Sequence, residues 1–288
     1  MKQLLILSGK GGTGKTTIAA AFIKLAAAKA YADCDVDAPN LHIVAGRTDK
    51  EMIKDYYGLP KAIINQELCI KCGICKAYCR FDAIEFKDNY NVDIFACEGC
   101  GVCAHFCPNK AISMQEAVAG ELMLFKDNGV FSTAKLKMGS GTSGKLVSEV
   151  KKQLINNSIG TDFAIIDGSP GIGCPVIASL SGANTVLIVT EPSVSGNSDM
   201  ERIISTARGF GAKIAVCVNK YDTNAANTEK IIEYCRKNCL PYVGSVPYDT
   251  EAVNAINKGV SVVEIDCPSG KAVRAIYKST MKILKESI

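Results

Sequence analysis

A glycine-rich loop between an apolar segment and a helical pattern constrains this chain more than any other feature. The apolar stretch Leu4-Leu5-Ile6-Leu7 runs directly into Ser8-Gly9-Lys10-Gly11-Gly12-Thr13-Gly14-Lys15-Thr16-Thr17. Glycines let backbone N–H groups approach a phosphate chain closely, and the N-terminus of the following helix adds positive potential. In the pattern G-x-x-x-x-G-K-S/T, the lysine (Lys15) meets the β- and γ-phosphates and the hydroxyl of Thr16 binds Mg²⁺. The sequence therefore predicts a nucleoside triphosphate site on residues 9–17.

A second lysine follows the first glycine of this loop. With Lys10 included, the loop reads K-G-G-T-G-K-T-T. This resembles the deviant Walker A box of the MinD/ParA/Mrp and nitrogenase iron protein superfamily. In that superfamily the extra lysine reaches across a homodimer to the partner's nucleotide, so the resemblance implies an ATP-dependent homodimer. The alternative is a solvated loop lysine.

Eight of the 14 cysteines form two copies of one spacing pattern. Each copy reads C-x2-C-x2-C-x3-C, the spacing of bacterial two-cluster ferredoxins, in which the fourth cysteine of each run ligates the other cluster. The pattern assigns one 4Fe–4S cluster to Cys69, Cys72, Cys75 and Cys107, and a second to Cys97, Cys100, Cys103 and Cys79. Arg80 stands where the second run has Pro108, which changes a turn without removing a ligand.

The similarity of the two runs extends beyond the cysteines. Tyr78 and Phe106 recur 28 positions apart, as do Ala83-Ile84 and Ala111-Ile112, which predicts two small units packed with pseudo-symmetry. About fifty residues bury too little apolar surface to be stable alone, so the clusters would be structural as well as redox groups. Zinc is the main alternative for four-cysteine sets, although C-x2-C-x2-C with a distant fourth cysteine is unusual for structural zinc.

The composition indicates the cellular compartment of the protein and the classes of partner that it would bind. The chain shows no N-terminal signal peptide pattern, and its cysteine content favours a reducing cytoplasm. Its apolar runs are shorter than a membrane span needs. A net charge of +4 gives no argument for nucleic acid as a partner. We therefore expect a cytoplasmic protein that binds neither nucleic acid nor membrane.

Strand and helix patterns alternate through the rest of the chain. Apolar segments predict strands at 163–166, 185–190, 213–219 and 242–245, separated by helical patterns such as 198–209 and 226–238. This alternation predicts an α/β fold, a doubly wound, mostly parallel sheet with ligands at the carboxyl ends of its strands. We assign residues 1–64 and 116–288 to a P-loop ATPase domain and residues 65–115 to an inserted, small α+β ferredoxin-like domain.

Two aspartate-containing segments are expected beside the phosphates. Asp167 ends the 163–166 strand as a Walker B residue that organises Mg²⁺ together with Thr16, and residues 168–173 resemble the superfamily's second switch. The segment Asp33-Cys34-Asp35-Val36-Asp37 resembles its first switch. There the resemblance assigns activation of the attacking water to Asp35, so that Lys10, Lys15, Asp35 and Asp167 would carry catalysis. A helix-capping aspartate at 167 and a solvated turn at 33–37 are the alternatives.

The base would lie between two further loops. The segment Asn219-Lys220-Tyr221-Asp222 ends another predicted strand and resembles the superfamily's base-recognition loop, with Asn219 as the adenine contact and Pro247 nearby. The same residues match the guanine-reading N-K-x-D of GTPases, but the Lys10 box favours ATP. An asparagine in an ordinary turn is the alternative.

Two features remain outside this scheme. Cys174 lies seven residues after Asp167. At this spacing the nitrogenase iron protein carries a ligand of its subunit-bridging cluster, and a buried thiol is the alternative. Residues 268–288 have the pattern of an amphipathic basic helix, which we expect to close the fold against the sheet and not to bind a membrane.

Three functions fit these parts. The first is nucleotide-gated electron transfer through the two clusters, with a redox partner. The second is assembly or delivery of iron–sulfur clusters or metallocofactors to an apo-protein acceptor. The third is a MinD/ParA-like positioning ATPase whose clusters are only structural.

Overall fold

The fold was obtained as a computed structural model that describes residues 1–44, 52–126 and 128–287. The strands within these residues are β1 Lys2–Leu7, β2 Ala30–Asp33, β3 Met52–Tyr57, β4 Lys61–Ile64, β5 Ile84–Phe86, β6 Tyr90–Val92, β7 Ile112–Gln115, β8 Val118–Phe125, β9 Val130–Leu136, β10 Phe163–Asp167, β11 Thr185–Thr190, β12 Lys213–Asn219 and β13 Tyr242–Val246.

The helices of the same residues range from single turns to a long closing helix. They are α1 Lys15–Ala26, α2 Leu41–Val44, α3 Ile74–Ala77, α4 Val102–His105, α5 Ser143–Asn157, α6 Cys174–Leu180, α7 Val194–Arg208, α8 Ala225–Lys237, α9 Thr250–Asn257 and α10 Pro268–Lys285. None of the helices in the described residues combines the length and apolar character needed to cross a bilayer.

A nine-stranded sheet in the order β13-β12-β11-β1-β10-β2-β9-β8-β3 forms the centre of the molecule. Neighbouring strands from β13 to β9 run parallel, whereas β8 is antiparallel to both β9 and β3. The predicted α/β, mostly parallel sheet is confirmed. The antiparallel extension by β3 and β8 differs from the prediction, which places no strand at residues 52–57 or 118–125.

Both faces of the parallel part are buried. In β1, Leu4 and Ile6 join the apolar cluster on one face, and Leu5 and Leu7 join the cluster on the other. Successive side chains of a strand point to opposite faces, so a strand covered on both sides reads as a continuous apolar run. Each fully buried side chain of this size contributes about 2 kcal/mol relative to an exposed one.

Helix α10 closes one face, as predicted. Its residues Val273, Ile276, Thr280 and Leu284 are buried. The ring of Tyr277 meets Phe22 of α1 edge to face, with ring centroids 5.2 Å apart. The apolar side of this helix is therefore used within the fold.

A small second core lies between β4 and β7. The pairs β4–β7 and β5–β6 form two separate antiparallel ribbons, around which Ala62, Ile64, Ala83 and several cysteines pack. The rings of Tyr78 and Phe106, the residues related by the internal repeat, stack with centroids 4.7 Å apart. We call residues 61–115 the cysteine module. It joins the large sheet through residues 58–60, which follow β3, and through residues 116–117, which precede β8.

Local capping explains where element ends differ from the sequence-based expectation. Helix α7 begins at Val194, four residues before the predicted start, because the hydroxyl of Ser193 accepts a hydrogen bond from the N–H of Gly196 at 3.0 Å. Helix α1 ends at Ala26 because Ala27 adopts a left-handed conformation with φ 44°.

Candidate functional sites

The glycine loop between β1 and α1 is shaped by close approaches of neighbouring backbone. Gly12 and Gly14 have left-handed φ values of 78° and 87°, which glycine adopts without strain. A Cβ on Gly14 would overlap the side-chain amide of Asn219, and a Cβ on Gly9 would overlap Asp199 of α7. Gly11 and Gly12 face open space. The loop therefore presents bare backbone on the side where a phosphate chain would bind.

Lys15 and Asp167 meet at the base of this loop. The buried Lys15 Nζ forms an ion pair with Oδ1 of Asp167 and lies 3.4 Å from Oγ1 of Thr16. Oδ2 of Asp167 and Oγ1 of Thr13 are buried and have no hydrogen-bond partner among the described residues. The carboxylate of Asp167 and the hydroxyl of Thr16, which both contact Lys15 Nζ, are oxygen donors of the kind that Mg²⁺ prefers, and one of the carboxylate oxygens has no partner within the described part of the chain. The residues present therefore fit the predicted Mg²⁺ site.

Asp33 is the last residue of β2, the strand that pairs with β10, and Asp35 lies two residues further on. Oδ1 of Asp33 accepts the N–H of Asp35 at 3.0 Å, and Oδ2 accepts the N–H groups of Asn40 and Leu41 at 3.0 and 2.9 Å. Burial and the nearby Asp167 raise the pKa of Asp33 to about 7. Asp35 is half-buried, and burial raises its pKa while Lys15 opposes the shift. Asp33 thus shapes the turn that holds Asp35 near Lys15 and Asp167, a role that the sequence reading did not assign.

A cavity of about 670 Å³ opens beside the glycine loop. Its walls include Gly12, Gly14 and Thr17 from the loop and helix α1, and Asn219 and Pro247 from the two predicted base-binding loops. Asn219 Nδ2 donates to the carbonyl of Thr13 at 2.7 Å, which ties the 219–222 loop to the glycine loop. The structure therefore brings together, around one open cavity, residues that are about 200 positions apart in sequence.

Lys10 does not line this cavity. Its Nζ lies 2.6 Å from Oε1 of Glu191 and within 3.2 and 3.3 Å of the hydroxyls of Ser195 and Ser193. Lys220 Nζ lies 3.9 Å from the other oxygen of Glu191. Glu191 follows β11 at the carboxyl edge of the sheet, and the sequence reading missed it. A carboxylate directly after a predicted parallel strand was the available signal.

Comparison with known proteins agrees with this geometry. Residues 4–262 match the profile of a family described as the CobQ/CobB/MinD/ParA nucleotide binding domain. The chain belongs to this family.

Its relatives include cell-division proteins. An uncharacterised protein of Methanocaldococcus jannaschii is 30% identical over 291 residues, which cover 99% of this chain and 97% of that protein. The septum site-determining protein MinD of Helicobacter pylori is 28% identical over 178 residues, which cover 57% of this chain and 65% of that protein. The structure of MinD from Pyrococcus horikoshii, complexed with Mg-ADP, superposes with a TM-score of 0.59 at 17% identity, covering 98% of this chain and 96% of the other. The chain thus has the α/β P-loop fold of MinD.

The cysteine module of this MinD/ParA-family chain holds two further cavities. One cavity of about 340 Å³ is lined by the first predicted set, Cys69, Cys72, Cys75 and Cys107. The other, of about 350 Å³, is lined by the second predicted set, Cys79, Cys97, Cys100 and Cys103. Each set combines three cysteines of one run with the fourth cysteine of the other, the exchange that the spacing predicts. We call them the first and second cysteine sites.

The other walls of both sites are mostly apolar, although Asn109 and Tyr90 also line the first site and Glu98 lines the second. Ile64 and Ile112 line the first site, and Ala62, Ile84 and Met114 line the second. The N–H of Ala111 donates to Sγ of Cys107 at 3.3 Å. Four cysteine sulfurs around a mostly apolar space, with a backbone N–H directed at one sulfur, are the kind of ligand set that would suit an iron–sulfur cluster.

The same residues do not form a site for a single ion. Among residues 1–44, 52–126 and 128–287, no three His, Cys, Asp or Glu side chains are grouped so that they could hold one metal ion. Structural zinc needs four ligands around one point. A four-iron cluster differs, because each thiolate binds a different iron and the sulfurs stay apart. The described residues therefore form no single-ion site, and the assignment of clusters to the cysteine sets stays a prediction.

The second cysteine site touches the nucleotide-binding part through residues 139–144, which we call the connector. A Cβ on Gly141 would lie 2.8 Å from Oε2 of Glu98, and one on Gly139 would lie 3.4 Å from the ring of Phe95. At the other end of the connector, a Cβ on Gly144 would lie 3.0 Å from Cβ of Cys174. Cys174 begins α6 directly after the 168–173 loop. The connector therefore spans from the second cysteine site to the predicted second switch.

The other cysteines divide by exposure. Cys34, Cys217, Cys235 and Cys267 are buried, as expected for small apolar side chains. Cys174 is exposed, so the alternative of a buried thiol at this position is wrong. Among the described residues it has no grouping that would hold a metal ion within one chain.

Proposed function

We propose that this protein is an ATPase whose nucleotide-dependent homodimer gates electron transfer through two 4Fe–4S clusters. The observation that carries the proposal is the match between spacing and cavity: each predicted cysteine set lines one cavity of its own. The spacing C-x2-C-x2-C with a distant fourth cysteine also favours clusters over structural zinc. The clusters, when bound, supply one-electron redox chemistry.

At the nucleotide site the proposed roles follow the geometry. The loop of residues 9–17 would bind the phosphates through its backbone, Lys15 would bind the β- and γ-phosphates, and Thr16 and Asp167 would hold Mg²⁺. Asp35 would orient the attacking water for hydrolysis. The relative from Pyrococcus horikoshii, complexed with Mg-ADP, supports this assignment by its shared fold.

The base and the partner subunit complete the proposed site. Asn219 and Pro247 line the cavity into which we place the adenine. Lys10 would leave Glu191 and reach the nucleotide of the partner subunit. Its present contacts are all with exposed or half-buried groups, so little free energy opposes this exchange. Closing the dimer would thus exchange one set of Lys10 contacts for another.

The connector supports coupling between the two halves. The γ-phosphate would contact the 168–173 loop, which leads directly into α6. Helices α5 and α6 are bound together by the buried Lys151, whose Nζ donates to the carbonyls of Ser179 and Ser181 at 2.5 Å each. Movement of α6 would therefore move α5 and the connector with it. Glu98, which follows the cluster ligand Cys97, lies at the far end of that path.

A second candidate is a positioning ATPase in which the clusters only stabilise the cysteine module. The named relatives favour it, because they include septum site-determining proteins. An assembly factor that delivers clusters to an apo-protein is the other possibility that the cysteine sites support. The three functions predict different effects of nucleotide binding on the clusters.

Anaerobic purification with iron and labile-sulfide analysis is the first test. Two clusters correspond to about eight iron atoms per chain, and Cys75→Ala should remove about half of them. Cys217→Ala, a buried cysteine outside both sites, is the matched control and should retain all of the iron. Material that contains zinc instead, or no labile sulfide, contradicts the cluster assignment.

Redox titration followed by electron paramagnetic resonance is the second test. Mg-ATP should shift the midpoint potential or the reduction rate of at least one cluster, and Lys15→Ala, which loses a phosphate contact, should abolish the shift. Stable clusters whose midpoint potential and reduction rate do not change with nucleotide would favour the positioning ATPase. Transfer of iron and sulfide to an apo-ferredoxin would favour the assembly factor.

A further inference from the structure

The loop that follows β10 is fixed to the end of β1 at two points. The N–H of Gly168 donates to the carbonyl of Ile6, and the N–H of Gly171 donates to the carbonyl of Ser8, both at 2.9 Å. A Cβ on Gly168 would lie 2.4 Å from the side chain of Leu7, so glycine is needed for the loop to lie this close to β1. The start of the predicted second switch is therefore anchored beside the glycine loop.

Ser169, between these two anchors, joins the predicted second switch to the first. Ser169 is 4% exposed, and its hydroxyl donates to the carbonyl of Cys34. Cys34 is fully buried, and its N–H donates to the carbonyl of Asp167 at 2.8 Å. Both hydrogen-bonding groups of the Cys34 backbone are thus held by residues 167–169.

The peptide group held by Ser169 leads directly into Asp35. The carbonyl of Cys34 and the N–H of Asp35 belong to one planar unit. Ser169 binds the carbonyl of this unit, and Oδ1 of Asp33 accepts its N–H at 3.0 Å. Because the unit is planar, two hydrogen bonds at opposite edges fix the orientation of the backbone from which the Asp35 side chain extends.

We propose that Ser169 is a positioning residue that fixes Asp35 relative to the glycine loop. The inference rests on the proposed function, because it needs Asp35 to orient the water that attacks a bound nucleotide. The contacts run from the end of β1, through the anchored loop and the Ser169 hydroxyl, to the peptide group before Asp35. Each contact joins buried or half-buried groups, so Asp35 has little freedom to move relative to the phosphate site.

Ser169 takes no part in the bond changes of hydrolysis. The water oxygen forms a bond to the γ-phosphorus, the bond from that phosphorus to the bridging oxygen breaks, and ADP leaves. The water supplies a hydroxyl group to the inorganic phosphate and releases one proton. Asp35 sets the direction of attack, so displacing it slows this step without weakening the binding of ATP. Loss of the Ser169 hydroxyl would displace it, because the buried carbonyl of Cys34 would lose this partner.

Phosphate release from Mg-ATP by the full protein tests the proposal. Ser169→Ala should lower kcat about ten-fold and change the dissociation constant of ATP, measured by calorimetry, less than two-fold. Ser169→Cys keeps the size of the side chain but donates only weakly, and it should show the same split between kcat and binding. Ser132→Ala is the matched control. Ser132 is also buried, and its hydroxyl donates to the carbonyl of Val150 at 2.9 Å, so kcat should stay within two-fold.

A double-mutant cycle with Asp35 separates positioning from a general loss of structure. In an Asp35→Asn background, Ser169→Ala should change the residual rate less than two-fold, because Ser169 acts through Asp35. No hydrolysis by the unmodified protein, or full activity in Asp35→Asn alone, would overturn the proposed function on which the inference rests.

Three results would overturn only the positioning role. In the first, both Ser169 variants retain more than half of the unmodified kcat. In the second, they weaken ATP binding as much as they lower kcat. In the third, Ser169→Ala lowers the rate equally with and without the Asp35 carboxylate.

Discussion

The contact between Lys10 and Glu191 makes a quantitative prediction about dimerisation. Within one chain the two groups form an ion pair of 2.6 Å, with 35% and 21% of their side chains exposed. A pair this exposed is worth about 1 kcal/mol. If Lys10 must leave Glu191 in both subunits before the dimer closes, the contact opposes dimerisation by about 2 kcal/mol, which corresponds to about 30-fold in the dissociation constant.

The substitution Glu191→Gln should therefore tighten the dimer about 30-fold. Glutamine keeps the size of the side chain and leaves the hydroxyls of Ser193 and Ser195 in place. Sedimentation equilibrium with Mg²⁺ and a non-hydrolysable ATP analogue measures the dissociation constant. The gain should shrink as salt is raised, because salt screens a partly exposed pair.

Two controls isolate the contact. Ser195→Ala removes one hydrogen bond to Lys10, at 3.2 Å, without removing a charge, and should have a smaller effect. In a Lys10→Ala background, Glu191→Gln should have no effect. If Glu191→Gln weakens the dimer, or strengthens it equally without Lys10, the reasoning is refuted.

Three further predictions concern buried groups and the loop. Asp33 has a pKa raised to about 7, so its contribution to the free energy of unfolding is present below pH 4 and is lost as the pH rises to 7. Urea unfolding of the nucleotide-free protein measures this loss. The loss should be smaller in Asp33→Asn, whereas the exposed Asp37→Asn should show it unchanged. Burial lowers the pKa of Lys151 to about 8, so between pH 8 and 10.5 the unfolded chain holds a proton that the native chain has lost. The same assay should find the unmodified protein gaining up to about 3 kcal/mol relative to Lys151→Met across that window. Gly14→Ala should abolish nucleotide binding in calorimetry, because the added Cβ overlaps Asn219 and the residue has φ 87°. The control Gly160→Ala has φ 80° but faces open space. It should lose only about 1 kcal/mol of stability from backbone strain and should bind nucleotide normally.

The sequence alone predicts the features that depend on short motifs or on the spacing between residues. The glycine loop, the strands from β10 to β13 and the grouping of the cysteines into two sites all follow from short motifs or from the 28-residue repeat. The parallel sheet followed from alternating patterns that each span one element.

Contacts between elements that are far apart in the sequence could not be predicted from these patterns. Glu191 reaches Lys10 only because β11 and β1 are neighbours in the sheet, and no local pattern states that adjacency. The role of Asp33 depends on how residues 35–41 fold back over it. The strand β8 was missed because it is only half covered at the antiparallel edge, where the apolar pattern is weaker.

The way the cysteine module is attached has a consequence for its history. Tyr57 and Val118, the ends of β3 and β8, are direct partners in the sheet, so the chain leaves and re-enters at one point. A short hairpin turn could join these strands in place of everything between them. The cysteine module is thus a unit that could be gained or lost without disturbing the nucleotide-binding fold, and replacing residues 58–117 with such a turn should leave a folded protein that still binds nucleotide.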